Sequence, residues 1–231
     1  MNDQEKSFIG IPLQCRILAE CFQSNFKELI ETPTSTEHNI SRLLVDQKFD
    51  LISLYDRLME TKRKIFREEK ANDTNPNQIV KDGSNQLLKE IENHLTKLAI
   101  ETITTDQKLT KVLCPPQSSN LSDDDLADEE NRITSNCLKF GLTLKIEDDA
   151  KIQFLHRTYA EYLFAKYLYK GFLLNDKRHN QILENESIRR LILEEILVRP
   201  KYYGVQEFLN SMLKELVDNE DWLSPLTFSL Q

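Results

Sequence analysis

The feature that most constrains this chain is a change of hydrophobic period at Gly141. Over LTLKIEDDAKIQF, Leu142, Leu144 and Ile146 alternate with polar residues, and Ile152 and Phe154 alternate again after the acidic corner EDDA. Side chains of a strand repeat every two residues, so this pattern predicts a β-hairpin. Outside the loops and a linker, the apolar residues of the rest of the chain recur at three- and four-residue steps, the spacing of one helix face. With 5 Gly and 7 Pro in 231 residues and 39% hydrophobic side chains, the chain reads as a folded, mainly α protein carrying one hairpin.

The helical readings run as follows. Leu13, Ile17, Cys21 and Leu29 mark a first helix, with Pro12 at a first-turn position where a missing N–H costs nothing. TPTSTEHN is a loop, and Leu51, Tyr55, Leu58, Lys62 and Ile65 mark a second helix over about 49–70. ANDTNPNQIVKDGSN carries Asn-Pro and Asp-Gly turn signals and reads as a flexible linker. Beyond it Leu87 or Leu88, Ile91, Leu95, Leu98 and Thr102 predict a helix capped by Ser84 or Asn85. A further helix opens at Ser122 with Asp123, Asp124 and Asp125 in its first turn, favourable to the helix dipole. The tail holds two more. Ile188, Leu191, Ile192, Glu195 and Ile196 form one that Pro200 stops, and Val205, Phe208, Leu209, Met212, Leu213 and Leu216 form a wide apolar stripe on the other.

Charge and cysteine usage exclude several classes. Thirty-eight acidic against 30 basic side chains give a net charge of -8, which repels phosphate backbones and anionic lipid surfaces. The basic run KRKIFREEK mixes signs at helical neighbour spacings, such as Lys64 with Glu68, and reads as a solvated helix face. No apolar run approaches the roughly 20 residues of a membrane span, and MNDQEKSFIG lacks the basic-then-apolar order of a secretion signal. A cytoplasmic protein with no membrane partner is expected. Cys15, Cys21, Cys114 and Cys137 show no CxxC pairing and read as reduced thiols. The acidic cluster at 123–125 lacks the alternating oxygen ligands, glycine and terminal glutamate of an EF-hand loop, so no metal site is expected there.

One stretch carries chemistry. In FLHRTYAEYLFAKYL, His156 shares strand parity with Ile152 and Phe154, while Thr158 and Glu161 have the T-x-x-E spacing of a capping box and predict a helix from about Tyr159. His156 then stands beside a helix N-terminus, whose first N–H groups suit an anion and disfavour a protonated imidazole. A neutral ring can donate one N–H to a phosphate oxygen. The same placement also suits a core histidine bonded to a backbone carbonyl, and periodicity does not separate the two. Tyr159, Tyr162, Phe164, Tyr167, Tyr169 and Phe172 surround the following helix, which predicts burial on more than one side. Base stacking is the other use of such aromatics, but only Lys166 and Lys170 accompany them.

FIGIPLQCRILAECF near the start and KIQFLHRTYAEYLFAKYL near residue 160 resemble two landmarks of the NACHT-type signal-transduction ATPases, the group that includes the animal NOD-like receptors. The resemblance covers most of the chain and extends to LYDRLMETKRKIFREEK, similar to ankyrin-bearing arthropod relatives. It implies a helical subdomain over 1–75, a linker and first winged-helix helices over 76–135, a winged-helix hairpin and terminal helix over 136–172, and a superhelical connector from 173 to 231. It implies that Pro12 lies against an adenine base and that His156, in the F-x-H-R-T-x-x-E-Y pattern, reaches a phosphate of bound ADP in a closed state. The family's ATPase core should precede Phe8, and the sequence has no GxxxxGK[ST] phosphate loop and no apolar strand ending in paired carboxylates for magnesium. The expectation is therefore a non-enzymatic regulatory fragment that binds no cofactor alone, meets ADP or ATP through an upstream core, and precedes a repeat sensor such as ankyrin repeats. A DNA-binding winged helix or a plain protein-interaction scaffold is the alternative, with nucleic acid disfavoured by the charge.

Overall fold

The computed structural model describes residues 13–21, 23, 51–73, 78–104, 106–114, 123–146, 151–173 and 186–218. It is mainly helical, with a single two-stranded antiparallel sheet among these residues. The chain divides into two compact units, Met1–Glu69 and Lys70–Gln231.

In the first unit, residues 13–21 and 23 are helical, with Ile17 and Cys21 buried as the spacing predicts. Helix α1 spans Leu51–Asp73. Its buried stripe is Ile52, Tyr55, Leu58, Met59 and Phe66, whereas Ile65 is 43% exposed. The stripe read from the sequence is therefore rotated at its far end, because Phe66 offers more apolar area than Ile65 and takes the inward position. Lys62 pairs with Glu20 at 2.9 Å, and Lys64 with Glu68 at 3.9 Å. Leu29 and the TPTSTEHN segment lie outside the described residues.

The second unit begins with α2, Gln78–Ile103, which runs through most of the segment read as a linker. Turn propensity at Asp82-Gly83 yields because propagating an existing helix costs little per residue once the nucleus exists. An added Cβ at Gly83 would meet nothing within 4 Å. Leu88, Ile91, Leu95, Ala99, Ile100 and Ile103 are buried, while Thr102, expected on this face, is exposed and bonds back to the Leu98 carbonyl. A short helix absent from the sequence reading follows, α3 at Gln107–Leu113. The Asp106 carboxylate accepts from the Lys108 N–H at 2.8 Å as its cap, and Leu109 and Leu113 anchor it inward.

Helix α4 spans Asp123–Phe140, beginning where the acidic first turn predicts. Arg132 fastens it to α2 by bonding Glu90 at 2.9 Å. Gly141, at φ 80°, ends the helix in the left-handed conformation that suits glycine, and the chain turns into the hairpin. Strands β1, Thr143–Lys145, and β2, Ile152–Phe154, pair with Thr143 opposite Phe154 and Lys145 opposite Ile152. Opposite residues share a face, so Thr143 joins buried Ile152 and Phe154, and Leu144 lies on the other face with Gln153. The alternation thus holds on β2 and is inverted on β1. The Thr143 hydroxyl donates to the Cys137 carbonyl at 3.1 Å, which satisfies a polar group on the core side.

Helix α5, Arg157–Leu173, is the centre of this unit and packs against both α2 and the later helix α7. Ala160, Phe164, Ala165 and Leu168 are completely buried, and Tyr159, Tyr162 and Tyr167 nearly so. Helix α6 covers Glu186–Glu195 and ends four residues before the expected stop. A 3-10 turn at Pro200–Tyr202 then leads into α7, Tyr203–Asp218. Val205, Phe208, Leu209 and Met212 form the buried stripe of α7, and Phe208 meets Tyr162 of α5 edge to face at 5.6 Å.

Candidate functional site

The hairpin ends at Phe154, and His156 is the residue before the first of α5. Helix α5 therefore starts two residues earlier than the T-x-x-E pattern suggests. His156 itself closes the helix end: its carbonyl accepts from Tyr159 N–H at 3.1 Å, and its Nδ1 accepts from Thr158 N–H at 3.3 Å. The Thr158 hydroxyl lies 2.8 Å from the same nitrogen. The imidazole thus takes the role the sequence assigns to Thr158. Glu161 does not reach back to a cap; its carboxylate pairs with the Arg157 Nε at 2.9 Å.

Two consequences bear on ligand chemistry. The Thr158 and Tyr159 N–H groups are already engaged, so the helix end is not the open anion cradle the sequence suggests. A neutral ring whose Nδ1 accepts from the Thr158 N–H carries its proton on Nε2, whereas one whose Nδ1 donates to the Thr158 hydroxyl oxygen leaves Nε2 an acceptor. Among the described residues nothing accepts from Nε2, and the ring is half-buried. In the first of these tautomers the chemistry available at this point is one directed N–H donor. A phosphate oxygen fits that donor, and a carboxylate or carbonyl oxygen fits it equally well.

Around the ring the charges are partly spent. Arg157 bonds Glu161 and extends its other nitrogen toward the Lys201 carbonyl at 3.4 Å, while the Lys201 ammonium lies 4.7 Å from the centre of the Tyr202 ring. The Glu161 side chain is 13% exposed. This small assembly of Arg157, Glu161 and the residues before α7 escaped the sequence reading. Arg157 and Glu161 at four-residue spacing were its only visible signal.

Pro12, the other expected site residue, lies outside the described residues. The basic run of α1 has the mixed-sign character expected of it: Arg63 bonds Glu60 at 3.1 Å, Arg67 the same carboxylate at 3.4 Å, and Lys64 pairs with Glu68. Among the described residues no group of three or more His, Cys, Asp or Glu side chains is placed to hold a metal ion. The four cysteines are free thiols; burial alone pushes Cys137 up to about 12, and burial followed by Glu101 pushes Cys114 up to about 11. No helix among the described residues is long and apolar enough to cross a membrane.

No family model matches the chain, and no curated protein or solved structure matches it either.

Proposed function

We propose that this chain is the regulatory part of a NACHT-type nucleotide-dependent signalling switch, packing on an ATPase core and responding to whether that core holds ADP or ATP. The observation that carries the reading is the placement of His156 at the start of α5, with Nδ1 turned onto Thr158. Both polar contacts of Nδ1 are with Thr158, so Nε2 is the ring nitrogen left to meet a ligand at the start of the buried helix α5, and in the tautomer that protonates it Nε2 is a donor. A donor oriented in this way is suited to one phosphate oxygen of ADP bound by the core, and a charge-assisted hydrogen bond of that kind contributes on the order of 1.5 to 3 kcal/mol.

In this reading the nucleotide's adenine and metal chemistry belong to the core, and Pro12 takes the adenine face. His156 adds a contact that exists only in the closed arrangement, which biases the switch toward ADP; a ligand shifts an equilibrium only by its differential affinity for the two states. The chain's own role is regulatory rather than catalytic, since phosphoryl transfer needs positioned cations and a placed water. Signal detection falls to a repeat domain, such as ankyrin repeats, joined through residues 173–231.

The deciding experiment replaces the histidine matched by His156 with alanine in a full-length relative and measures the ADP retained on purification. A loss of about 10- to 100-fold in ADP affinity, the equivalent of that hydrogen bond, with raised basal activity is expected. Unchanged retention together with unchanged basal activity defeats the reading.

A further inference from the structure

The start of α5 meets the first turn of α7 at a place where a side chain on α7 would have to displace a carboxylate of α5. Gly204 is the second residue of α7, and a Cβ built there would land on the Glu161 carboxylate, all three of its nearest atoms belonging to that group. The same carboxylate is held by the Arg157 Nε at 2.9 Å, and that guanidinium also reaches the Lys201 carbonyl at 3.4 Å, just before α7 begins. Arg157 therefore bridges an acid on its own helix and a backbone carbonyl on the next segment. Glu161 in turn lies against the end of α7 where the helix dipole favours negative charge. Deeper in the same contact Tyr162, next to Glu161, meets Phe208.

We propose that Arg157, Glu161 and Gly204 form a keyed joint that fixes the start of α7 to the start of α5, so that residues 203–218 move with His156. The joint is specific because it combines an ionic hold with a steric fit: the carboxylate occupies the volume a side chain at 204 would need. Glu161 is a positioning residue that touches no ligand. Its connection to nucleotide state rests on the switch reading above, whereas the joint itself does not. Through it, a change in what His156 touches becomes a change in where the connector points, which requires two arrangements biased by one site.

The test is hydrogen exchange on the full chain at amides 207–212 of α7, with amides 91–100 of α2 as internal reference. Glu161→Ala is expected to speed exchange in α7 by about tenfold or more while changing α2 by less than about twofold. Gly204→Ala should do the same by displacing the carboxylate. The double variant should exchange no faster than Glu161→Ala alone, because the added methyl then enters space already vacated. Unchanged α7 protection in both single variants, equal loosening of α2 and α7, or fully additive effects in the double variant would each overturn the joint. The two readings fail separately: unchanged ADP retention on loss of the histidine removes the nucleotide link and leaves the joint standing, and unchanged α7 exchange removes the joint whatever ADP does.

Discussion

Helices α1 and α5 show two ways of stabilising a helix. Helix α1 buries one stripe, keeps most of the rest of its first half partly covered, and gives the surface of its second half to solvent and to ion pairs: Glu60 alone serves Arg63 and Arg67, and Lys64 meets Glu68. Helix α5 buries nearly its whole circumference, with Ala160, Phe164, Ala165 and Leu168 fully covered and packing against both α2 and α7. Hydrophobic stabilisation scales with apolar area removed from water, at about 25 cal/mol per Å², whereas an exposed ion pair contributes about 0 to 1 kcal/mol. The difference teaches that the second unit is organised around α5. Substitutions there should be several-fold more costly than on the solvated face of α1.

The largest test of that contrast is Phe164→Ala. Phe164 has no exposed surface, so truncation should leave a cavity and cost about 3 to 5 kcal/mol in urea unfolding. A cost near 0.5 kcal/mol would mean that α5 is not the packing centre. Next comes Tyr167, whose hydroxyl donates to the Leu113 carbonyl at 3.2 Å and ties α5 to α3. Tyr167→Phe leaves a buried carbonyl short of a partner and should cost about 1 to 3 kcal/mol. Burial, followed by Cys114, also pushes the Tyr167 phenol up to about 12 from its usual 10.0. The folded value is the higher one, so its contribution is intact below pH 10 and is lost as pH climbs from there toward 12. Tyr167→Phe should flatten that part of the alkaline stability profile, read by circular dichroism; an unaltered slope would contradict the burial assigned to the hydroxyl.

What the sequence made legible follows the same division. Strong one-stripe helices and the buried aromatic helix were readable because period and burial agree, as at Ile91, Leu95, Tyr162 and Phe208. The hairpin was readable on β2. On β1 the strand was readable but its inward face was not, because Thr143 turns inward to bond the Cys137 carbonyl, a tertiary acceptor no local pattern displays. Helix α3 was missed because seven residues with two apolar anchors carry little periodic signal, although Asp106 two residues before Lys108 is a cap in plain view. At the site, His156 stands beside the start of α5 as read, but the cap was assigned to Thr158: an imidazole capping through Nδ1 satisfies the same orphan N–H as a threonine hydroxyl, and a pattern search favours the threonine. The Glu161–Gly204 contact joins residues 43 positions apart and has no local signature.

A smaller effect sharpens the comparison from the solvated side, where propensity rather than packing governs. Gly83 lies inside α2 with open space around it, so Gly83→Ala should stabilise the chain by about 0.5 to 1 kcal/mol through reduced backbone entropy of the unfolded state. A destabilised variant would show that this stretch is not helical in solution, which would restore the linker read from its Asp-Gly pair.

The smallest expected effect sets the lower end of the scale. Glu60 is 63% exposed and bonds Arg63 three residues on and Arg67 seven residues on, the second at 3.4 Å. Solvent screens both pairs, and ordering three long side chains offsets much of the Coulomb gain, so Glu60→Ala should cost at most about 0.5 kcal/mol. Exchange at the α1 amides is the readout, since α1 lies almost entirely in the first compact unit and a whole-chain unfolding curve would mix the two. Raising salt toward 1 M shortens the screening length to about 3 Å and should erase even that difference between wild type and variant. A Glu60 effect above about 2 kcal/mol that survives high salt would show that the two arginines hold α1 through desolvated contacts, and the division between a packed α5 and a solvated α1 would no longer stand.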